Sequence, residues 1–257
     1  MHRYLFWGIV SLSVVFLLAL GTGYALGYRI GPGITLVKVR SLTITHLVPG
    51  ATVFIDRSSR GTAATSTMTL ALVPGHHAVL ISAPNTWPFS TIVTIPENKN
   101  ATLAAFLIPH TPNGTLLEGP AAKTARAAVA HTALPTITHP LVMENGCALV
   151  SVNTANQIIA APTTTPACTP PPFLCLDNSC APTIVFSPKE KPTAVLPYPG
   201  RQDALLVGIG KVIYALSLDP RSPQTFAPLL QGISPRIATD TQGTVVVDQS
   251  AAYKLTL

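Results

Sequence analysis

Charged residues are scarce in this chain. Its 257 residues include 16 Lys or Arg and 10 Asp or Glu, so that 10% are charged, against about a quarter in an ordinary soluble domain. The basic residues are scattered singly, so the net charge of +6 forms no run that would suit a nucleic acid. This composition argues against a cytosolic nucleic-acid binder, a coiled coil and a long helical bundle.

The motifs of the common enzyme classes are absent as well. There is no G-x-S-x-G elbow, no H-E-x-x-H, no Walker loop and no C-x-x-C. Gly208-Ile209-Gly210 begins like a dinucleotide fingerprint, but no third glycine follows, and its position is typical of a hairpin turn. Adjacent His76 and His77 would point to opposite faces of a strand and so would not share a metal. We expect no enzyme activity, no cofactor and no metal, although the fold can still assemble a carboxylate pair.

The longest uncharged apolar run lies near the N-terminus. Leu5–Leu26 spans about 22 residues, enough at roughly 1.5 Å per residue to cross a hydrocarbon core of roughly 30 Å. The run predicts a tail of residues 1–3 and a transmembrane helix over residues 4–28 that serves as a signal-anchor. A cleaved signal peptide is the alternative, since Ala25 and Gly27 are small residues at a spacing that signal peptidase accepts. Aromatic rings stand near both ends of the run, as is usual at membrane interfaces: Tyr4, Trp7, Tyr24 and Tyr28.

Two signals disagree about the orientation of this segment. Arg29, Lys38 and Arg40 follow it and favour a cytoplasmic C-terminal part. An even set of four cysteines without a metal spacing instead indicates disulfides in an oxidising compartment. We expect a single-pass protein of the cell membrane with extracytoplasmic C-terminal domains, and a cytoplasmic-facing interaction module is the alternative.

A β-rich stretch follows a linker at residues 29–37. Between residues 38 and 109, apolar and polar residues alternate in short runs such as Ser41–His46 and Thr67–Leu72. Turn residues separate these runs about every ten residues. Strands of this length and spacing predict a small antiparallel β-sandwich.

Part of this stretch resembles a known family. Pro49-Gly50-Ala51 precedes one strand, a turn contains Gly61, and Pro74-Gly75 precedes a later strand. This pattern resembles a PEGA domain, although Gly61-Thr62-Ala63-Ala64 stands where the family usually has Gly-x-Thr-Pro. The resemblance implies a β-sandwich scaffold over residues 38–109 and implies no reaction.

The character of the sequence changes after residue 109. Residues 110–145 are an Ala/Pro-rich connector, in which Pro120 and the following alanines predict either a short helix or a mobile linker. Residues 146–257 again contain apolar runs separated by turns, as at Gly210-Lys211. These hairpins resemble strands of a β-propeller blade and are similar to a region found after PEGA domains in some bacterial envelope proteins. They imply a partial propeller-like β-domain or an open antiparallel sheet.

All four cysteines lie in this last region. Cys175 and Cys180 are separated by a turn-like spacer that permits a small disulfide loop, and Cys147 and Cys168 would then close a second loop. Neither spacing is typical of a zinc site, where cysteines usually come in closer pairs. The sequence leaves three disulfide connectivities open, and free structural thiols or a metal site are the alternatives.

Among the apolar side chains, Trp87 and Phe89 on either side of Pro88 are the strongest candidates for ligand contact. An aromatic loop at the edge of a sandwich can stack on a sugar or receive a partner's side chain. The alternative is that these rings cap the core of their own domain. We therefore treat Trp87 and Phe89 as a candidate binding loop.

These features together predict a mainly β, membrane-anchored and non-enzymatic envelope scaffold. Its expected partners are the lipid bilayer, through residues 4–28, and an envelope protein or a surface glycan, but no nucleic acid. The alternative is an extracytoplasmic hydrolase or glycan-processing enzyme with a site in the C-terminal β-domain, which rests on analogy of fold alone.

Overall fold

The computed structural model describes residues 2–25, 27–30, 36–163, 168–176, 179–221, 223–240 and 243–257. The protein is mainly β, with 50% strand and 14% helix, and its sheets are open and largely antiparallel. The predicted fold class is confirmed at this level. The chain divides into two units, residues 1–81 with 92–105 and residues 82–91 with 106–257.

The chain up to residue 105 forms one helix and ten strands within the described residues. They are α1 (His2–Ala25), β1 (Tyr28–Ile30), β2 (Leu36–Lys38), β3 (Arg40–Thr45), β4 (Thr52–Ile55), β5 (Ser58–Thr62), β6 (Met68–Leu72), β7 (Gly75–Ser82), β8 (Thr86–Trp87), β9 (Phe89–Ile95) and β10 (Ala101–Ala104).

The chain from residue 106 adds a second helix and fifteen strands within the described residues. They are β11 (Ile108–Pro109), β12 (Asn113–Leu117), α2 (Gly119–His131), β13 (Leu141–Met143), β14 (Ala148–Val152), β15 (Ile158–Pro162), β16 (Cys175–Leu176), β17 (Ser179–Cys180), β18 (Thr183–Phe186), β19 (Pro192–Pro197), β20 (Ala204–Ile209), β21 (Val212–Ser217), β22 (Phe226–Gln231), β23 (Pro235–Asp240), β24 (Gly243–Asp248) and β25 (Ala251–Thr256).

Helix α1 covers most of the segment that was predicted to span a membrane. Among the described residues, no helix combines the length and the apolar character that crossing a bilayer requires. The prediction of a transmembrane helix over residues 4–28 is therefore not supported, and residue 26 and several α1 side chains lie outside the described part. The uncharged run specifies a helix here, and helix formation alone does not require a membrane. Strands β1 and β2 pair antiparallel at the two ends of the predicted linker 29–37.

Besides the β1–β2 pair, the described part of the first unit contains two larger sheets that each bury one face. One sheet has the order β10-β3-β6 and the other the order β5-β4-β7-β9. The pair β10–β3 is parallel, unlike the all-antiparallel sandwich that the spacing of the runs predicts. Side chains alternate between core and surface along the strands, since neighbouring residues of a strand point to opposite faces. The buried side chains include Leu42, Ile44, Val53, Ile55, Val79 and Ile81.

A tight turn joins β4 to β5 in the first unit. Ile55 pairs with Ser58, so the loop consists of Asp56 and Arg57 alone. Both have positive φ, at 52° and 67°, which is the backbone of a type I′ turn. A side chain at such a φ costs roughly 1–2 kcal/mol, and glycine avoids this cost. The turn therefore carries backbone strain at Arg57.

The second unit contains three four-stranded antiparallel sheets. The first has the order β13-β14-β15-β18 and the second β19-β20-β21-β22. The third consists of β23, β24 and β25, and β12 completes it by pairing with β25. Strand β19, at one edge of the second sheet, lies beside the edge strands β13 and β23 of the other two sheets.

Among its described residues, the second unit contains two apolar clusters. One joins the first and second sheets through residues such as Val150, Ile158 and Leu205. In the other, Ala122 and Ala125 of α2 pack against the third sheet. Proline in the first turn and alanines in the interior explain why α2 forms. The Ala-rich run of the predicted connector is thus a helix and not a linker.

The strained turn predicts that Arg57→Gly stabilises the first unit. Relief of the positive φ is expected to stabilise it by about 1 kcal/mol, which would slow hydrogen exchange in β4 and β7 about five-fold. Ser58→Gly, in an ordinary strand conformation next to the turn, is the matched control and should speed exchange. Unchanged or faster exchange in Arg57→Gly would show that the turn stores no strain.

Candidate functional site

Trp87 lies in the two-stranded sheet of β8 and β11, where it pairs with Ile108. Its Nε1–H donates a hydrogen bond to the carbonyl oxygen of Pro228 at 3.2 Å. Its ring makes an edge contact with His110, with the centroids 4.8 Å apart. The side chain is nevertheless 38% exposed. An indole that is held at two points therefore presents part of its surface to solvent.

Phe89 differs from Trp87 in its surroundings. Its side chain is only 8% exposed, so it belongs to the apolar interior. Alternate residues of an extended strand face opposite sides, and β9 begins at Phe89 with this residue turned inward. Of the two residues of the candidate binding loop, only Trp87 is placed to contact a ligand.

A second candidate site begins at the turn between β13 and β14. Glu144, Asn145 and Gly146 all have positive φ, at 52°, 53° and 94°. The amide of Cys147 donates to the carbonyl oxygen of Glu144 at 3.0 Å, which closes a tight turn around Asn145-Gly146. Asn-Gly is the strongest short-range signal for such a turn, although Asn145-Gly146 is not among the turns predicted above. Glu144 itself stands in a left-handed conformation that glutamate rarely adopts.

The loop between β19 and β20 adds charged side chains near Glu144. The Glu144 amide donates to the carbonyl oxygen of Gln202 at 3.1 Å. Arg201 forms a bidentate ion pair with Asp203, with N–O distances of 2.8 and 2.6 Å. Its guanidinium also lies 4.6 Å from the centre of the Phe106 ring. Asp219 is close enough for its negative charge to act on Glu144. We call Glu144, Arg201, Asp203 and Asp219 the carboxylate cluster.

The carboxylate cluster changes the acidity of Glu144. Burial raises the pKa of Glu144 to about 7, and the negative charges of Asp203 and Asp219 act in the same direction. The positive charge of Arg201 opposes them and is outweighed. A carboxyl group that titrates near neutral pH can donate or accept a proton, which is the property required of a general acid or base.

The four predicted cysteine sites form two disulfides. Cys147 is bonded to Cys168 and Cys175 to Cys180, which is the connectivity considered first in the sequence analysis. The larger bridge joins the start of β14 to the chain beyond β15. The smaller bridge closes the hairpin of β16 and β17.

The adjacent histidines of the first unit have separate roles. His77 is buried, and its Nδ1 and Nε2 lie 2.7 Å from Asp56 Oδ2 and 2.8 Å from the Val73 carbonyl oxygen. Both partners are acceptors, so only a ring that donates from both nitrogens satisfies both contacts. Partial burial opposes ionisation of Asp56, but hydrogen bonds from His77 and the Ala78 amide outweigh it and lower the pKa of Asp56.

His76 instead lies beside Thr94, with its Nδ1 2.9 Å from the hydroxyl oxygen. Within the described residues, no group of three or more His, Cys, Asp or Glu side chains is placed to hold a metal ion. Each of the two histidines thus contacts other residues of the first unit.

No protein-family model matches this chain, and no curated protein matches it either. The resemblance to a PEGA domain consequently rests on the residues that carry it.

The raised pKa of Glu144 predicts how stability depends on pH. Between its ordinary value near 4.5 and about 7, the folded chain keeps a proton that the unfolded chain has released. Stability is therefore expected to fall as the pH rises through this range. Glu144→Gln removes the charge, so it should stabilise the protein at pH 8 and have little effect at pH 5.

Urea unfolding at the two pH values measures this difference. Glu190→Gln, at an exposed position of the same unit, is the matched control and should shift the midpoint equally at both. An equal shift for Glu144→Gln at pH 5 and pH 8 would contradict the account of the carboxylate cluster.

Proposed function

We propose that this chain is a non-enzymatic envelope scaffold that binds an envelope protein or a surface glycan outside the cytoplasm. The observation that carries the proposal is the exposed indole of Trp87, held by Pro228 and His110. A ring that is already fixed loses little conformational freedom on binding. Indole faces stack on sugar rings and fill apolar sites on proteins. Trp87 is thus the residue that we assign to ligand contact.

The two disulfides support the extracytoplasmic part of this proposal. Disulfides persist mainly in oxidising compartments and are rare in the cytosol. All four cysteines are paired, so none is left as a free thiol. A chain that forms both bridges suits the outer side of a cell membrane.

The N-terminal segment is the part that we propose contacts a lipid bilayer. The described apolar side chains of α1 are exposed on all sides of the helix rather than along one stripe. A helix that is apolar all round needs apolar surroundings. The exposed side chains are Leu12, Val14, Val15, Phe16, Leu17, Leu18 and Leu20.

The topology supports a finer proposal about the architecture. We propose that the first unit is a PEGA-like sandwich and that the second is a three-bladed, propeller-like domain. Three four-stranded antiparallel sheets, in which the edge strand β19 lies beside the edge strands β13 and β23, support the second assignment. So does β12, because an early strand that completes the last sheet is the usual closure of a propeller. Whole propellers have at least four blades, so this domain would be a partial one.

A second candidate function is favoured by the carboxylate cluster. Glu144 combines a pKa of about 7 with a left-handed backbone and two nearby carboxylates. Such features are enriched at catalytic sites. An extracytoplasmic hydrolase would use Glu144 as its general acid and would lose activity in Glu144→Gln. A pure scaffold would bind its ligand equally well with this substitution.

Binding can be followed through Trp87 in the full chain. Because the protein has two tryptophans, Trp7→Phe leaves Trp87 as the sole indole. In that background we expect isolated wall polymer or purified envelope proteins to change the tryptophan fluorescence. Removal of an aromatic contact residue should weaken binding at least about ten-fold in pull-downs with Trp87→Ala.

The control for this experiment is Ile137→Ala, at a side chain of the same unit that is 75% exposed. It should leave binding unchanged. The proposal fails if Trp87→Ala retains the same envelope components as the unsubstituted chain, or if neither chain enriches any component.

A further inference from the structure

The strand register of the β16–β17 hairpin explains why its two cysteines lie close enough for a disulfide. The amide of Ala181 donates to the carbonyl oxygen of Leu174 at 2.9 Å, so these residues are a hydrogen-bonded pair. Hydrogen-bonded and non-hydrogen-bonded pairs alternate along an antiparallel ladder. The next pair, Cys175 and Cys180, is therefore non-hydrogen-bonded, the type in which strands approach most closely. Their Cα atoms lie 4.0 Å apart.

The two sulfur atoms of this bridge have different surroundings. Cys175 packs against the apolar cluster of the second unit, next to buried Phe173 and Leu174. Cys180 is exposed to solvent. A nucleophile that arrives from solution therefore reaches the sulfur of Cys180 more readily than that of Cys175.

The other disulfide is placed differently. Cys147 and Cys168 are both partly buried, and their bridge encloses β14 and β15. The Cys175–Cys180 bridge encloses only a short hairpin tip, with a sequence separation of 5 against 21. Exposed disulfides are generally the ones that exchange with thiols, whereas enclosed ones serve stability. The two bridges of this unit thus suit different roles.

We propose that the Cys175–Cys180 bridge is a thiol-exchange site for a dithiol reductant. A thiolate of the reductant bonds to Sγ of Cys180, the bond to Cys175 breaks, and Cys175 leaves as a thiolate that takes up a proton. The second thiol of the reductant then displaces Cys180, which is protonated in turn. The reductant becomes a disulfide, and the protein gains two electrons and two protons.

Opening of this bridge is expected to leave the fold in place, because Phe173 and Leu174 belong to the apolar cluster and the first sheet does not include β16 or β17. The exchange would therefore free a thiol at Cys180 without unfolding the second unit.

Graded reduction of the full oxidised chain with dithiothreitol tests this proposal. Samples are quenched with N-ethylmaleimide and each cysteine pair is quantified by mass spectrometry. We expect Cys175 and Cys180 to be alkylated at least ten times faster than Cys147 and Cys168. With the monothiol glutathione as the probe, the mixed disulfide should map to Cys180.

Two paired variants serve as controls. Cys175→Ser/Cys180→Ser should remove the fast phase and keep the circular dichroism spectrum, whereas Cys147→Ser/Cys168→Ser should keep the fast phase. Equal reduction rates, faster reduction of Cys147–Cys168, or a glutathione adduct on Cys175 would each overturn the proposal. The unsubstituted chain decides the matter even if a variant fails to fold.

Discussion

The pairing of β12 with β25 is the contact on which the second unit depends. Residues 113–117 bind residues 252–256, so this ladder joins the beginning of the unit to its end. Closing so long a loop costs conformational entropy, although the cost grows only slowly with loop length. Burial of α2 on the same sheet helps to offset it. Once β12 is in place, the third sheet is complete and the chain is directed towards β13.

The two candidate sites differ in the chemistry that they offer. Trp87 is an aromatic side chain that is held at two points, which suits the ligand recognition that we propose for it. Glu144 is a carboxyl group whose burial and negative neighbours keep it protonated close to neutral pH. Binding of a ligand does not require a group that titrates near neutral pH, whereas acid catalysis does. The effect of Glu144→Gln on activity and on ligand binding therefore separates a hydrolase from a scaffold more cleanly than the shape of either site.

Local signals in the sequence account for much of the fold. Alternation of apolar residues indicated the strands, and Gly210-Lys211 marked the turn between β20 and β21. Asn145-Gly146 is an equally strong turn signal that was not among the predicted turns, whereas Asp56-Arg57 has no glycine to mark its turn. The β12–β25 pairing and the cluster around Glu144 join distant segments, so no local pattern could reveal them. The transmembrane assignment was drawn from the apolar length and from the aromatic rings near both ends of the run, and it finds no support among the described residues.

The central claim is that the disulfide-bonded second unit lies outside the cytoplasm. Labelling of intact cells with a membrane-impermeant maleimide, with and without prior mild reduction, tests it most directly. The account predicts no labelling of the four cysteines before reduction and strong labelling afterwards. Labelling that appears only after lysis, with thiols that are already free, would place the unit in the cytoplasm and contradict the account.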